Sequence, residues 1–277
     1  MKGRNERYHD RIAPIYDDVY DKSPYWRFYR DLTWRSIKPP PSARCGGPDR
    51  RPRLRNGRMG SPLPRVGLPG HLRRSLQRNA LPRARARFPE YPGKEAAFVH
   101  ADLADMAELE TGAFALAIAQ GDPLSFTKDP ARGAREIARI LAPGGVAVCS
   151  VDNRCAAYDH SLESEDWDAL EGSTKGTTVW LARDSRERFP IHAFLPGELR
   201  KLFERAGLEC LSLVGKTALD IRRHAKSLED PNVYRRLLAI ELECRAEPAF
   251  LGRAAHLEIV VRRGGDRWGA DSICAQR

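Results

Sequence analysis

The sequence has no apolar run near the roughly 20 residues a membrane-spanning helix needs, which excludes a helical membrane protein. It has no C-x-x-C pair: its six cysteines (Cys45, Cys149, Cys155, Cys210, Cys244 and Cys274) are scattered. That spacing speaks against a zinc site or a disulfide frame, so reduced thiols and no metal centre are expected. The opening Met1-Lys2-Gly3-Arg4-Asn5-Glu6 lacks the apolar core of a secretory signal, and a cytoplasmic location is expected. The most local deficit lies in residues 38–87, which contain no Ile, Phe, Tyr, Trp or Glu and have nine prolines among fifty residues. No period of 2 or 3.6 survives there, which excludes an ordinary packed helix or strand.

That segment also distorts the overall charge. It holds thirteen Arg and one Lys against the single acid Asp49, a net +13 in a chain whose total is +10, so everything else carries −3. Three readings compete. A basic disordered arm would bind nucleic acid or acidic lipid through its arginines, although no stacking aromatic accompanies them. A flexible insertion without a role is the second. The third is out-of-frame translation of a GC-rich gene, because Arg, Pro, Gly and Ala have GC-rich codons. With permitted codons shifted by one base, Val66 to Ala80 can encode S-G-Y-Q-V-T-C-V-D-L-S-R-G-M, a strand ending in an acid. The same shift over Cys45 to Gly60 permits A-V-V-L-I-A-G-R-G-S-G-T-A-G-W-A, a strand followed by a glycine-rich turn.

The text on either side is ordinary. Ile12, Ile15, Tyr16, Val19 and Tyr20 recur at helical spacing, and Trp26, Tyr29 and Leu32 suggest a second helix. These aromatics read as core, or Tyr16-Asp17 closes over a ligand pocket. Residues 97–151 read strand, acidic turn, strand, helix, strand. Phe98–Ala101 ends at Asp102; Phe114–Ala119, small and apolar on both faces like a central strand, ends at Gln120-Gly121-Asp122-Pro123. A helix from about Asp129 to Ala142 follows, with Asp129 as N-cap and Pro130 at its first position, and Pro143-Gly144-Gly145 leads into Val146–Val151. Alternating strands and helices predict a parallel α/β sheet with right-handed crossovers. Ligands of such sheets bind beyond the carboxyl ends of the strands, where Asp102, Gln120 and Asp122 fall.

Residues 152–194 read as a cap: an acidic helix around Asp159–Glu171, then strands Thr177–Ala182 and Arg188–Phe194. His192 in the second strand is a candidate acid or base, or an ordinary structural histidine. A helix over 196–206 ends at Gly207, Leu208–Val214 and His256–Val261 are strands, and Asp230-Pro231 starts the intervening helix. The organisation expected is an N-terminal helical segment (1–37), the Arg/Pro-rich segment (38–87), a core with its cap (88–263) and a charged tail (264–277).

Three strings carry a resemblance: Phe98-Val99-His100-Ala101-Asp102, Phe114 to Leu124 and Ala134 to Gly145, the last ending in a Leu-x-Pro-Gly-Gly turn. With Phe194-Leu195-Pro196-Gly197-Glu198-Leu199, Phe203 to Leu208 and Ala13-Pro14-Ile15-Tyr16-Asp17, they resemble class I S-adenosylmethionine-dependent methyltransferases, of the type 11 kind. The resemblance spans about 8–36 and 88–263. It implies a Rossmann-like sheet of seven strands, the last antiparallel, with S-adenosylmethionine as cofactor and a small-molecule methyl acceptor. By the same resemblance Asp102 and Leu103 border the adenine, Ala119, Gln120 and Gly121 line the cofactor beside its sulfonium, and Tyr16 closes over it. Asp122 and His192 are the candidates for proton transfer. The family's glycine-rich turn and the acid after its second strand are absent from residues 38–87 as written and present in the shifted frame. This implies impaired cofactor binding by the chain as written.

Overall fold

A computed structural model describes residues 7, 8, 11, 21–37, 101–179 and 188–264. The expected faces at 12–20, including Tyr16, the Arg/Pro segment, and the strand Phe98–His100 lie outside them. The first long element is α1 (Pro24–Ile37), followed by β1 (Phe114–Ala119), the single turn α2 (Pro123–Phe126), α3 (Pro130–Ile140) and β2 (Leu141–Asp152). Next come α4 (Arg154–Glu163), α5 (Trp167–Thr174) and the short strands β3 (Thr177–Val179) and β4 (Pro190–His192). The chain continues through α6 (Pro196–Arg205), β5 (Leu208–Lys216), α7 (Pro231–Cys244), α8 (Pro248–Arg253) and β6 (His256–Arg263).

Among the described residues, four strands form the main sheet in the order β1-β2-β6-β5. β1 and β2 are parallel, and β6 runs antiparallel to β2 on one side and to β5 on the other. The last strand is therefore the reversed one, as expected. Its reversal sets the start of β6 beside the ends of β1, β2 and β5. Asp152 pairs in register with His256, which in turn pairs with Lys216, and Ser150 pairs with Glu258. Directly paired residues on neighbouring strands point to the same face, so the register alone collects these polar side chains.

The helix before β2 forms where its signals place it. Asp129 accepts the Arg132 backbone N–H at 2.8 Å, and Pro130 occupies the first turn. Ala134 and Ile137 are buried against the sheet. The helix ends at Ile140 rather than Ala142, and β2 begins at Leu141, so the Pro-Gly-Gly turn is part of the strand. Gly144 takes φ +75°, and a Cβ on Gly145 would sit 2.8 Å from the carbonyl oxygens of Ala142 and Phe114. The motif thus lets β2 approach β1 at its entry. On the same side of the sheet, packed beside α3, α6 buries Leu199 and Phe203 completely. Each contributes roughly 1.5–3 kcal/mol by leaving water. A separate cluster joins Phe28 and Leu32 of α1 to Ile221, Leu228 and Leu238.

One expectation is corrected. β1 is not a fully buried central strand: among the described residues it ends the sheet, and Leu116 is 44% exposed. The hairpin of the 152–194 segment is present, with Thr177–Val179 antiparallel to Pro190–His192, and its second strand is shorter than the expected Arg188–Phe194. Residues 180–187 between its strands lie outside the described residues.

Candidate active site

Beyond Ala119 the chain turns sharply. Gly121 and Asp122 take consecutive left-handed conformations, φ +83° and +62°. A buried aspartate in that region is an outlier of the kind that collects at functional sites. Both backbone N–H groups donate to Ser150 Oγ at 3.1 Å, and the Tyr29 hydroxyl reaches the same oxygen at 3.3 Å. The turn is thereby tied to β2 and to α1 at once.

Around it lies a buried polar cluster. His256 Nδ1 is 3.0 Å from Asp122 Oδ2 and 3.9 Å from Asp152 Oδ1, and the Tyr29 ring stands edge-on to the imidazole at 5.1 Å. Lys216 Nζ donates to Thr33 Oγ1 at 2.5 Å and to Gln120 Oε1 at 2.8 Å. It also lies 3.1 Å from Glu258 Oε2 and 3.7 Å above the Tyr29 ring. Burial by itself would raise the Asp122 pKa, but His256, Ser150 and Lys216 outweigh it and hold the carboxyl below its usual range. Asp152 goes the other way: burial and the neighbouring Asp122 charge push it up to about 7. Burial lowers Lys216, against the pull of Glu258 and Asp122, and raises the Tyr29 hydroxyl.

The sequence-derived candidates divide between this cluster and its surroundings. Gln120 and Asp122 belong to it, and Ala119 is buried just before them. Gly121 has open space on its Cα, with no atom within 4 Å of a built Cβ. Asp102 is exposed, and its Oδ1 accepts the Ala104 N–H at 2.9 Å in a local turn. Leu103 packs against Gly133 of α3. His192 is half-buried, its pKa lowered by burial against the opposing influence of the Lys128 backbone and Asp129. Sequence reading missed Tyr29, Ser150, Asp152, Lys216, His256 and Glu258. A signal existed for some of them: His256 and Glu258 alternate with apolar residues at the start of their strand, and Asp152 and Lys216 are the last residues of theirs.

An open cleft of about 340 Å³ adjoins the cluster, lined by Tyr25, His160, Thr217, Asp220, Arg222 and Ala255 among others. Thr217 and Ala255 are the chain neighbours of Lys216 and His256. Arg222 lies 4.8 Å over the Tyr25 ring.

A parallel sheet with its last strand reversed, and polar side chains gathered at its carboxyl edge, defines an α/β protein that takes its ligand at that edge. Residues 72–149 match the model of a methyltransferase domain. That stretch, just over a quarter of the chain, is thus similar to a methyltransferase domain. The match begins inside the Arg/Pro-rich segment and runs through β1 to Cys149. Solved structures similar to this chain include an S-adenosylmethionine-dependent methyltransferase from Methanosarcina mazei, at 16% identity over 66% of this chain and 77% of that one, TM-score 0.43. Another, from Mesorhizobium loti, is 22% identical over 66% and 75%, TM-score 0.39. The [4+2]-cyclase SpnF is 18% identical over 69% of this chain and 63% of its own length, TM-score 0.37. No curated protein sequence matches the chain. No described helix is long and apolar enough to cross a membrane.

Proposed function

We propose that this protein transfers a methyl group from S-adenosylmethionine to a small-molecule acceptor held in the cleft beside Thr217 and Ala255. The observation that supports this most is the convergence of Gln120, Asp122, Asp152, Lys216 and His256 at the carboxyl edge of a sheet whose β1–β2 unit falls within the matched domain. The residues present fit one side of the cofactor. Gly121 leaves room where a side chain would intrude, and Gln120 is held by Lys216 rather than free to fill that room. Asp102 and Leu103 at the adenine, Ala119 behind Gln120, and Tyr16 as a cover complete the proposed set. The cofactor supplies an activated methyl group when bound.

This chain's residues supply position and charge. Fixed alignment of acceptor and donor accounts for most of such a rate enhancement. Asp122, kept ionised by its neighbours, takes the proton where the acceptor must lose one. His192 remains the second candidate for that role from the 152–194 segment. The acceptor's class follows from the mixed lining of the cleft: Arg222, seated over the Tyr25 ring, supplies a cation and Asp220 an anion, which suits a polar molecule carrying charged or hydrogen-bonding groups.

The test is methyl transfer from labelled S-adenosylmethionine to a panel of small phenols, amines and carboxylates. Transfer that falls at least tenfold in Asp122→Asn supports the reading. Transfer unaffected by Asp122→Asn and by Arg222→Ala would move the active site elsewhere.

A further inference from the structure

The three side chains that meet at Asp122, Asp152 and His256 have more acceptor capacity than the protein satisfies. One atom from each of the three lies within 4.8 Å of the other two. Asp122 Oδ1, Asp152 Oδ2 and both ring nitrogens of His256 are buried without a hydrogen-bond partner. The close approach of His256 Nδ1 to Asp122 Oδ2 therefore has the distance of a hydrogen bond without its alignment. His256 is over nine-tenths buried, with its side chain 8% exposed, and Asp122 is close behind at 9%. An orphaned buried polar atom costs about 1–3 kcal/mol, so four of them in one place call for a ligand that accepts lone pairs.

Charge points the same way. The buried cluster contains three carboxyl groups, Asp122, Asp152 and Glu258, against the one buried ammonium of Lys216, which lies 3.1 Å from Glu258 and also acts on Asp122, with Arg222 acting on Asp152 from the cleft. A dication between the two aspartates would balance this set. Two carboxylate oxygens and one imidazole nitrogen are the mixed hard and borderline donors that suit zinc or manganese. The separations of 3.0 and 3.9 Å are near those between ligands that sit about 2.1 Å from a common ion. Asp152, at 19% exposed, is the most open of the three and marks the way in.

We infer that Asp122, Asp152 and His256 form a binding site for one divalent cation, zinc or manganese. The scattered cysteines hid it, because its ligands come from the ends of three strands far apart in sequence and from carboxylates rather than thiols. A bound cation would acidify an acceptor hydroxyl reaching the site from the cleft, easing the proton removal assigned above to Asp122 or His192. Binding itself does not depend on the methyl-transfer reading, and it is measured without cofactor or acceptor.

The experiment strips the full-length chain with a chelator and titrates it with Mn²⁺, following free ion by electron paramagnetic resonance, and separately with Zn²⁺ by calorimetry. One ion per chain is expected, with affinity at least tenfold weaker in His256→Ala and in Asp152→Asn and unchanged in His224→Ala. Pulsed resonance on the Mn²⁺ form of the wild-type chain should show coupling to one imidazole nitrogen, a signature that survives even if the variants fold poorly. No binding, binding equal in all variants, or a bound ion without nitrogen coupling would overturn the assignment.

Discussion

Lys216 Nζ lies 3.1 Å from Glu258 Oε2, and neither side chain has any exposed surface. The pair spans β5 and β6 and ties both to α1 and β1 through Thr33 and Gln120. Taking two charges out of water is costly, and the pair is tolerated because Lys216 has three further partners. Removing one member strands the other. Lys216→Met or Glu258→Gln alone should lower unfolding stability by about 3–5 kcal/mol. The double variant Lys216→Met with Glu258→Leu should lose clearly less than the sum, as a urea-unfolding double-mutant cycle would show.

Asn153 is a structural residue in a site-like place. It follows Asp152, but its Nδ2 donates to the carbonyls of Leu251 at 2.8 Å and Ala254 at 2.7 Å, and its Oδ1 accepts the Cys155 N–H at 3.1 Å. Asn153→Ala leaves these groups unpaired and should cost about 1–3 kcal/mol. Because its polar groups are all engaged away from the cluster, the loss should appear in the melting temperature and not in cation affinity.

Gly145→Ala should destabilise by about 1–3 kcal/mol, because its Cβ meets two backbone carbonyl oxygens that cannot swing aside. Gly144→Ala, at a positive φ in open space, should cost about 1–2 kcal/mol from backbone strain alone. Amide exchange separates them: only Gly145→Ala should loosen the start of the β1–β2 pairing.

Glu136 accepts from Arg139 at 2.9 Å and from the Met106 N–H at 2.9 Å, and the guanidinium contact holds its pKa below the ordinary 4.5. A carboxyl depressed on folding stabilises above its ordinary value, and the contribution disappears as pH falls through the folded value. The side chain is 18% exposed, so screening keeps the effect near 1 kcal/mol. Glu136→Gln should therefore be about that much weaker than wild type at pH 7. The two urea midpoints should converge once the pH has fallen through the depressed folded value of Glu136.

The Arg/Pro segment makes a prediction about the gene. Read one base out across codons 38–87, the coding sequence should give the glycine-rich strand-turn and the strand ending in an acid, with no stop codon. A chain with that frame restored should bind S-adenosylmethionine at micromolar concentration by calorimetry, and the chain as written at least tenfold more weakly. Tight binding by the chain as written, or a stop codon in the alternative frame, removes the frameshift reading.

The α/β class, the helix signals at Asp129-Pro130, the Pro-Gly-Gly entry to β2 and the cap at Gly207 were legible in the residues, as the observed elements bear out, whereas the reversed last strand came from the family resemblance. These depend on contacts between near neighbours or on a pattern repeated within one element. Gln120 and Asp122 were legible too, because a Gly and a Pro mark the end of their strand. His256, Glu258, Lys216 and Asp152 were not identified. Each is a polar residue near a strand end, a local signal too common to mark a site by itself.

What the sequence determined by itself was the class of sheet and the edge at which a ligand would sit, because turn residues and apolar periodicity act within a few positions. What tertiary structure alone decided was the register. Insertion of β6 between β2 and β5 sets His256 opposite both Asp152 and Lys216, and Glu258 opposite Ser150. A slip of one residue would turn these side chains to the other face. The burial of so many charges at one edge is thus a property of strand pairing across more than a hundred residues, which no local pattern encodes.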